Sequence, residues 1–185
     1  HAAYVTAGQT FGIVGTQIGL RAEQAFTQAR LEGGGSQSRE PFTNNYFSLY
    51  PSANVFLETD GENTFSLSYS RRVNRPRGRQ LNPYLDMSDP RNFRSGNPFL
   101  LPECTNSYEL AHQWQRQRTS ITTAIFYKGT RDVIRRFTQA DTSGVLLSTF
   151  QNLGRQHNEG LELSVMVPLG RTGRLNWTSS AYRVV

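Results

Sequence analysis

The residues with the clearest capacity for chemistry are arginines. Arg71, Arg72, Arg75, Arg77 and Arg79 lie close together, and Arg91 and Arg94 follow within the same polar stretch. Their guanidinium groups stay charged and present forked donors to carboxylates and phosphates. The cluster predicts attraction of an anionic ligand, with Arg72, Arg75, Arg77, Arg79, Asn82, Tyr84, Arg91 and Arg94 as candidate binding residues. An acidic lipid surface or plain solvent would also accommodate such charge. Nucleic acid is a third partner to weigh, because Tyr84, Phe93 and Phe99 could stack on bases. No RNA- or DNA-binding motif accompanies them, so no nucleic acid is expected. Catalysis has no foothold: there is no nucleophile elbow, phosphate loop or convincing acid/base pair. His1, His112 and His157 lack metal-ligand spacing. The single cysteine, Cys104, excludes an internal disulfide framework and a multi-cysteine zinc site. The expectation is a protein without enzymatic activity, metal or cofactor.

The elements that position these arginines read as β structure. The chain has 185 residues, enough for one domain, with 16 glycines, 8 tyrosines and 11 phenylalanines. Its formal charge is +6, with a pI near 9.9 and a mean hydropathy of −0.55. No run of about 18 apolar residues exists, which excludes a membrane helix but not a membrane barrel. The arginine stretch follows a clean alternation in which Phe65, Leu67 and Tyr69 oppose Ser66, Ser68 and Ser70. That period of two is a strand with one apolar and one polar face.

Eight strands are predicted on the same grounds. They cover residues 2–8, 15–31, 46–58, 63–74, 105–116, 120–133, 145–167 and 174–185. A loop is expected from Glu32 to about Asn45, another from about Arg75 to Cys104, and a third from about Ile134 to Gly144. Asp60-Gly61 and the Gly170 to Gly173 segment are tight-turn signals. Pro51 cannot donate to a ladder, so a bulge or break is expected there. The connections thus run short, long, short, long, short, long, short. Greek-key crossings in a sandwich do not produce that regularity. A transmembrane barrel does, with short periplasmic turns and long extracellular loops. The fold class is therefore all-β: an antiparallel up-and-down meander of about eight long strands, part of a transmembrane β-barrel. Arg21, Glu23, Glu109, Lys128 and Glu162 fall on its polar, lumen-facing side. Tyr46, Phe47, Trp114, Tyr127 and Trp177 are candidates for interfacial girdles, and His112 is expected near a membrane boundary.

The central block is also recognisable. Tyr69 to Pro76, Leu81-Asn82-Pro83-Tyr84, Ser88-Asp89-Pro90, Gly96-Asn97-Pro98, Leu101-Pro102-Glu103 and Thr105 to Leu110 resemble the barrel of TonB-dependent outer-membrane receptors. The likeness is to the Bacteroidetes-type branch with an outer membrane protein β-barrel domain, and it extends to Gly19 to Glu23, Phe47 to Ser52 and Gly160 to Ser164. The resemblance implies a bacterial outer-membrane location and import of a nutrient such as a ferric chelate, cobalamin or glycan. It further implies contact with outer-membrane lipid and lipopolysaccharide, and a plug domain and the TonB energising complex as partners. No plug segment and no terminal aromatic strand are identified, so residues 1–185 are expected to form a partial barrel domain with two open edges. Two other classes stay open: a soluble all-β ligand- or glycan-binding module, and an outer-membrane barrel enzyme. The direction in which the apolar face looks discriminates the first from a membrane barrel.

Overall fold

The computed structural model describes residues 1–29, 42–59, 61–170 and 172–185, without the side chains of residues 27–29, 42 and 44. The predicted loop at residues 32–45, the end of the second predicted strand, and the Asp60 and Arg171 turn positions lie wholly or partly outside them. Eight strands form one antiparallel sheet: β1 (Ala2–Phe11), β2 (Val14–Ala29), β3 (Phe42–Thr59), β4 (Asn63–Asn74), β6 (Glu103–Arg116), β7 (Thr119–Arg131), β10 (Arg155–Leu169) and β11 (Gly173–Val184). In that order each is hydrogen-bonded to the next, and β1 and β11 are the two edges of an open sheet.

The remaining elements sit in the long connections. Between β4 and β6 lie the one-turn helix α1 (Gly78–Leu81) and β5 (Asn92–Arg94). Between β7 and β10 lies a hairpin of β8 (Ile134–Ala140) and β9 (Leu146–Asn152). The three short strands make a second sheet in the order β5-β9-β8, with β5 parallel to β9. The expected loop at 134–144 is thus largely strand, and the expected single strand at 145–167 is two strands in different sheets. Asp132 (φ 58) and Gly154 (φ 70) make the change of direction. Alternation runs on through such a corner, so a period of two does not disclose it.

Register separates the two faces. Odd-numbered Phe65, Leu67 and Tyr69 stand opposite His112, Leu110 and Tyr108. Leu110 continues to Ile125, and Ile125 to Leu161. On the other side Leu67 meets Val55, and Ala53 meets Ile18. This apolar face is exposed, with Ile18 at 62%, Leu67 at 57% and Ile125 at 56%. Handing each such side chain to lipid is worth about 1.5–3 kcal/mol. The buried positions among the described residues are few: Tyr50, Leu100, Ala124 and Val133 carry the buried apolar side chains. Among the described residues no second layer lies against the apolar face, which is the arrangement of a membrane wall and not of a sandwich core.

The opposite face holds Ser66, Ser68, Thr105, Glu109, Thr122, Lys128 and Glu162, with bulky rings over glycines. Phe56 pairs with Gly15, and Phe126 with Gly160. A Cβ at Gly15 would meet the Phe56 ring at 2.0 Å. Rings filling the space above glycines permit the local bending a curved wall needs.

Pro51 stays within an unbroken β3 and pairs with Leu20 in the ladder to β2. The expected bulge is absent, and the break falls on the other side: the β3–β4 ladder begins at Ser52↔Ser70. A missing N–H stops pairing only on the edge it faces. His112 stacks on Phe65 with centroids 4.5 Å apart and bonds Asn63 Oδ1 at 2.9 Å, beside the short turn that opens β4.

At Gly160 an added Cβ would stand 2.7 Å from the Ala181 carbonyl oxygen and 2.7 Å from Phe126 Cζ. Gly160→Ala is expected to destabilise the sheet by about 1–3 kcal/mol, whereas Ser179→Ala stays within about 0.5 kcal/mol. Urea unfolding of the whole protein in vesicles measures both, and equal midpoints would refute the close approach.

Candidate ligand clefts at the long-loop end

The connection from Arg75 to Pro102 is held by its own short-range chemistry. Asn82 Oδ1 accepts from the Tyr84 amide at 3.1 Å, and Asn97 Oδ1 from the Phe99 amide at 3.0 Å. These are turns that Asn makes by bonding the backbone two residues on. Asp86 and Arg94 exchange backbone bonds of 2.7 and 3.0 Å. The Gly96 amide donates to the Asn82 carbonyl at 2.7 Å, and the Asn97 amide to that of Gln80 at 2.7 Å.

Long-range bonds then stitch this connection to the β8–β9 hairpin. Ser95 donates its amide to the Ser148 carbonyl at 3.0 Å. Asn97 Nδ2 donates to the Phe150 carbonyl at 3.0 Å. Asn152 accepts from the Leu101 amide at 2.8 Å and donates to the carbonyls of Leu101 and Asp132. Both ends of the assembly are anchored to the wall. Glu103 Oε1 accepts from the Ile134 amide at 2.7 Å. Arg75 donates to Tyr46 Oη at 3.0 Å and pairs with Glu23, which Arg21 also approaches at 3.3 Å. Tyr46 therefore lies on the polar face. It is not an outward girdle residue as expected, because it stands an odd number of residues from the outward Phe47.

Two adjoining clefts open between the stitched connections. One, of about 310 Å³, is lined by Arg79, Asn82, Tyr84, Asp86, Arg94, Arg136, Ser148 and Phe150, among others. The other, of about 380 Å³, is lined by Arg75, Arg77, Arg79, Glu103, Arg136 and Phe150, among others. Arg79, Arg136 and Phe150 belong to both. The first cleft sets three guanidinium groups against one carboxylate, Asp86. Arg136 lies over the Phe150 ring, 5.8 Å from its centroid. Such a cleft offers forked donors, amide and hydroxyl groups and two aromatic faces, a set suited to an anionic, partly planar ligand.

Of the candidate binding residues, Arg79, Asn82, Tyr84 and Arg94 line the first cleft, and Arg75, Arg77 and Arg79 the second. Arg72 and Arg91 line neither. Arg72 stands in β4 opposite Thr105, and the Arg91 carbonyl accepts from Leu146. Sequence reasoning missed Arg136, Ser148 and Phe150. The Arg135-Arg136 pair was the one visible signal, and only the hairpin shows which of the two faces the cleft. Among the described residues no group of three or more metal-ligating side chains comes together.

Two carboxylates hold the loop. The Ser88 hydroxyl and amide bond Asp86 at 2.5 and 3.0 Å, keeping its carboxyl below the usual range, with help from Arg94 and Arg79. The Asn92 side chain and the Arg91 amide do the same for Asp89. A lowered folded pKa means that the stabilisation is fully present above the unfolded value of 3.8 and is lost as pH falls through the lower folded value. Hydrogen-exchange protection of residues 86–94, corrected for intrinsic rate, is therefore expected to persist down to pH 3.8 and to fall below it. A Cβ at Gly96 would meet backbone atoms of Asn82 and Gln80 at 2.5 and 2.6 Å. Gly96→Ala is expected to raise tryptic cleavage at Arg77, Arg79, Arg91 and Arg94 several-fold while leaving the unfolding midpoint of the wall unchanged within about 0.5 kcal/mol.

Comparison with solved structures places the fold. The chain superposes on the siderophore receptor PirA from Pseudomonas aeruginosa with a TM-score of 0.74 at 17% identity, covering 99% of this chain and 31% of that one. Against the Serratia marcescens hemophore receptor HasR, solved with its hemophore HasA and heme, the TM-score is 0.78 at 15% identity, over 98% and 33%. Against the copper transporter OprC it is 0.73 at 11% identity, over 99% and 28%. At these identities the likeness is one of fold, and the chain spans about a third of the length of each. No curated protein sequence matches it. The model of the outer membrane protein beta-barrel family matches residues 1–184. With its apolar face turned outward and its long connections gathered at one end, the chain belongs to that family and forms part of a β-barrel wall in the bacterial outer membrane.

Proposed function

We propose that this chain supplies wall and extracellular loops to a TonB-dependent importer, and that the paired clefts receive an anionic nutrient. The observation that carries the reading is the placement of Arg79, Arg94 and Arg136 around one cleft at the long-loop end of a wall whose other end has tight turns. Siderophore, heme and copper proteins sharing the fold support import as the class of activity. A ferric chelate bearing carboxylate or catecholate groups fits the cleft's donors and rings; cobalamin and glycans offer less charge. The mechanism has no covalent step. The clefts raise the ligand's local concentration. Passage then follows movement of a plug domain, driven by the TonB energising complex. Arg75, tied to Glu23 and Tyr46, links the loop to the lumen-facing wall.

Uptake of labelled ferric chelates, cobalamin and anionic glycans by cells carrying or lacking the whole protein tests the proposal. One of these ligands is expected to enter only with the protein and an intact energising complex. Arg94→Gln with Arg136→Gln is expected to weaken its binding at least about tenfold, or about 1.4 kcal/mol, and to reduce its sensitivity to salt. Binding indifferent to both substitutions and to salt would place capture elsewhere, and uptake without the energising complex would remove the importer class.

A further inference from the structure

Register sets a second cationic feature on the outward face, separate from the clefts. Tyr69, Tyr108 and Tyr127 stand side by side across β4, β6 and β7, with ring centroids 5.0 and 6.3 Å apart. Two residues nearer the long connections, the same face carries Arg71 opposite Asn106, whose Oδ1 accepts from Arg71 Nε at 3.1 Å and from Tyr69 Oη at 3.0 Å. Two residues further, Arg131 of β7 stands directly opposite Arg155 of β10. Both are exposed, and neither side chain has a hydrogen-bond or ion-pair partner among the described residues. Like charges directly opposite in a ladder are destabilising. Glu159, on the same face, is two rows away, opposite Tyr127 and Arg183. An anion lying between the two guanidinium groups removes the repulsion.

The order along the strands says where that anion comes from. Leu110, Ile125 and Leu161 form an apolar row, the tyrosines follow, and the arginines come next. Hydrocarbon, interface and headgroup follow one another in the same order across a leaflet. We propose that Arg131 and Arg155, with Arg71 about 12 Å from Arg131, two strand spacings across and two residues along, bind the phosphates of lipopolysaccharide in the outer leaflet. Forked guanidinium donors match phosphate oxygens, and a lipid carrying two phosphates on one disaccharide can set one between Arg131 and Arg155 and the other toward Arg71. The proposal rests on the outer-membrane placement and is independent of what the clefts import. Arg72, the neighbour of Arg71, is on the opposite face and takes no part.

The test uses the whole protein in detergent, with bisphosphorylated lipid A, its dephosphorylated form and inorganic phosphate as probes, followed by native mass spectrometry and titration. Wild-type protein is expected to bind the bisphosphorylated lipid at least tenfold more tightly than the dephosphorylated one. R131Q/R155Q is expected to abolish that preference, and R72Q to keep it. Heat-dependent migration on gels confirms that each variant is folded; should the double variant fail, R155Q is held to the same criterion. Unchanged preference in the arginine variant, equal binding of both lipids by the wild type, or inorganic phosphate binding as tightly as the lipid would each overturn the assignment.

Discussion

A backbone crossing hydrocarbon cannot leave its N–H and C=O groups unpaired, since no water is there to receive them. That constraint organises the rest of the molecule. It demands long ladders, and β2 and β3 accordingly pair without interruption from Val14↔Leu57 to Ala29↔Phe42. It also demands that irregular backbone be moved out of the membrane. The breaks in pairing lie where the chain leaves the wall, in the tight turns at one end and the elaborated connections at the other. Even Pro51 obeys: it keeps its ladder to β2 and ends the one to β4.

Once the ladders are in place, the two-residue period assigns each side chain to lipid or lumen. Arg71 and Arg72 illustrate the consequence. They are neighbours with the same chemistry, yet one joins Asn106 beside the tyrosines and the other stands across from Thr105 on the polar face. The lumen side keeps its own order through Arg21, Glu23, Arg75 and Tyr46, which fasten the loop after β4 to strands β2 and β3. Glycines opposite Phe56 and Phe126 let the wall bend where the rings fill the gap.

The long connections follow different rules. Outside the membrane the ladder is no longer compulsory, and the loops build a small sheet of their own, with a parallel β5–β9 contact. Its bonds join residues some fifty positions apart, such as Asn97 to Phe150 and Leu101 to Asn152. The clefts exist because these two connections meet, so their lining comes from both.

The strands were legible in the residues themselves. Alternation located β4, β6, β7 and β11 nearly to their ends, Gly61 and Gly170 marked tight turns, and the spacing of connections indicated a membrane wall. The arginine stretch was legible as a concentration of charge because that charge is local in the chain, and Arg79, Asn82, Tyr84 and Arg94 line a cleft. What alternation could not disclose was the corner at Gly154, the split of one apparent strand into β9 and β10, or the approach of Arg136 and Phe150 to Arg79. Those depend on contacts between distant segments, which leave no period in the chain. Local pattern determined which residues face lipid, because the bilayer imposes one rule on every strand. Only the tertiary structure decided which arginines share a cleft and which confront one another across a ladder, because register and loop docking are set by pairings far apart in sequence.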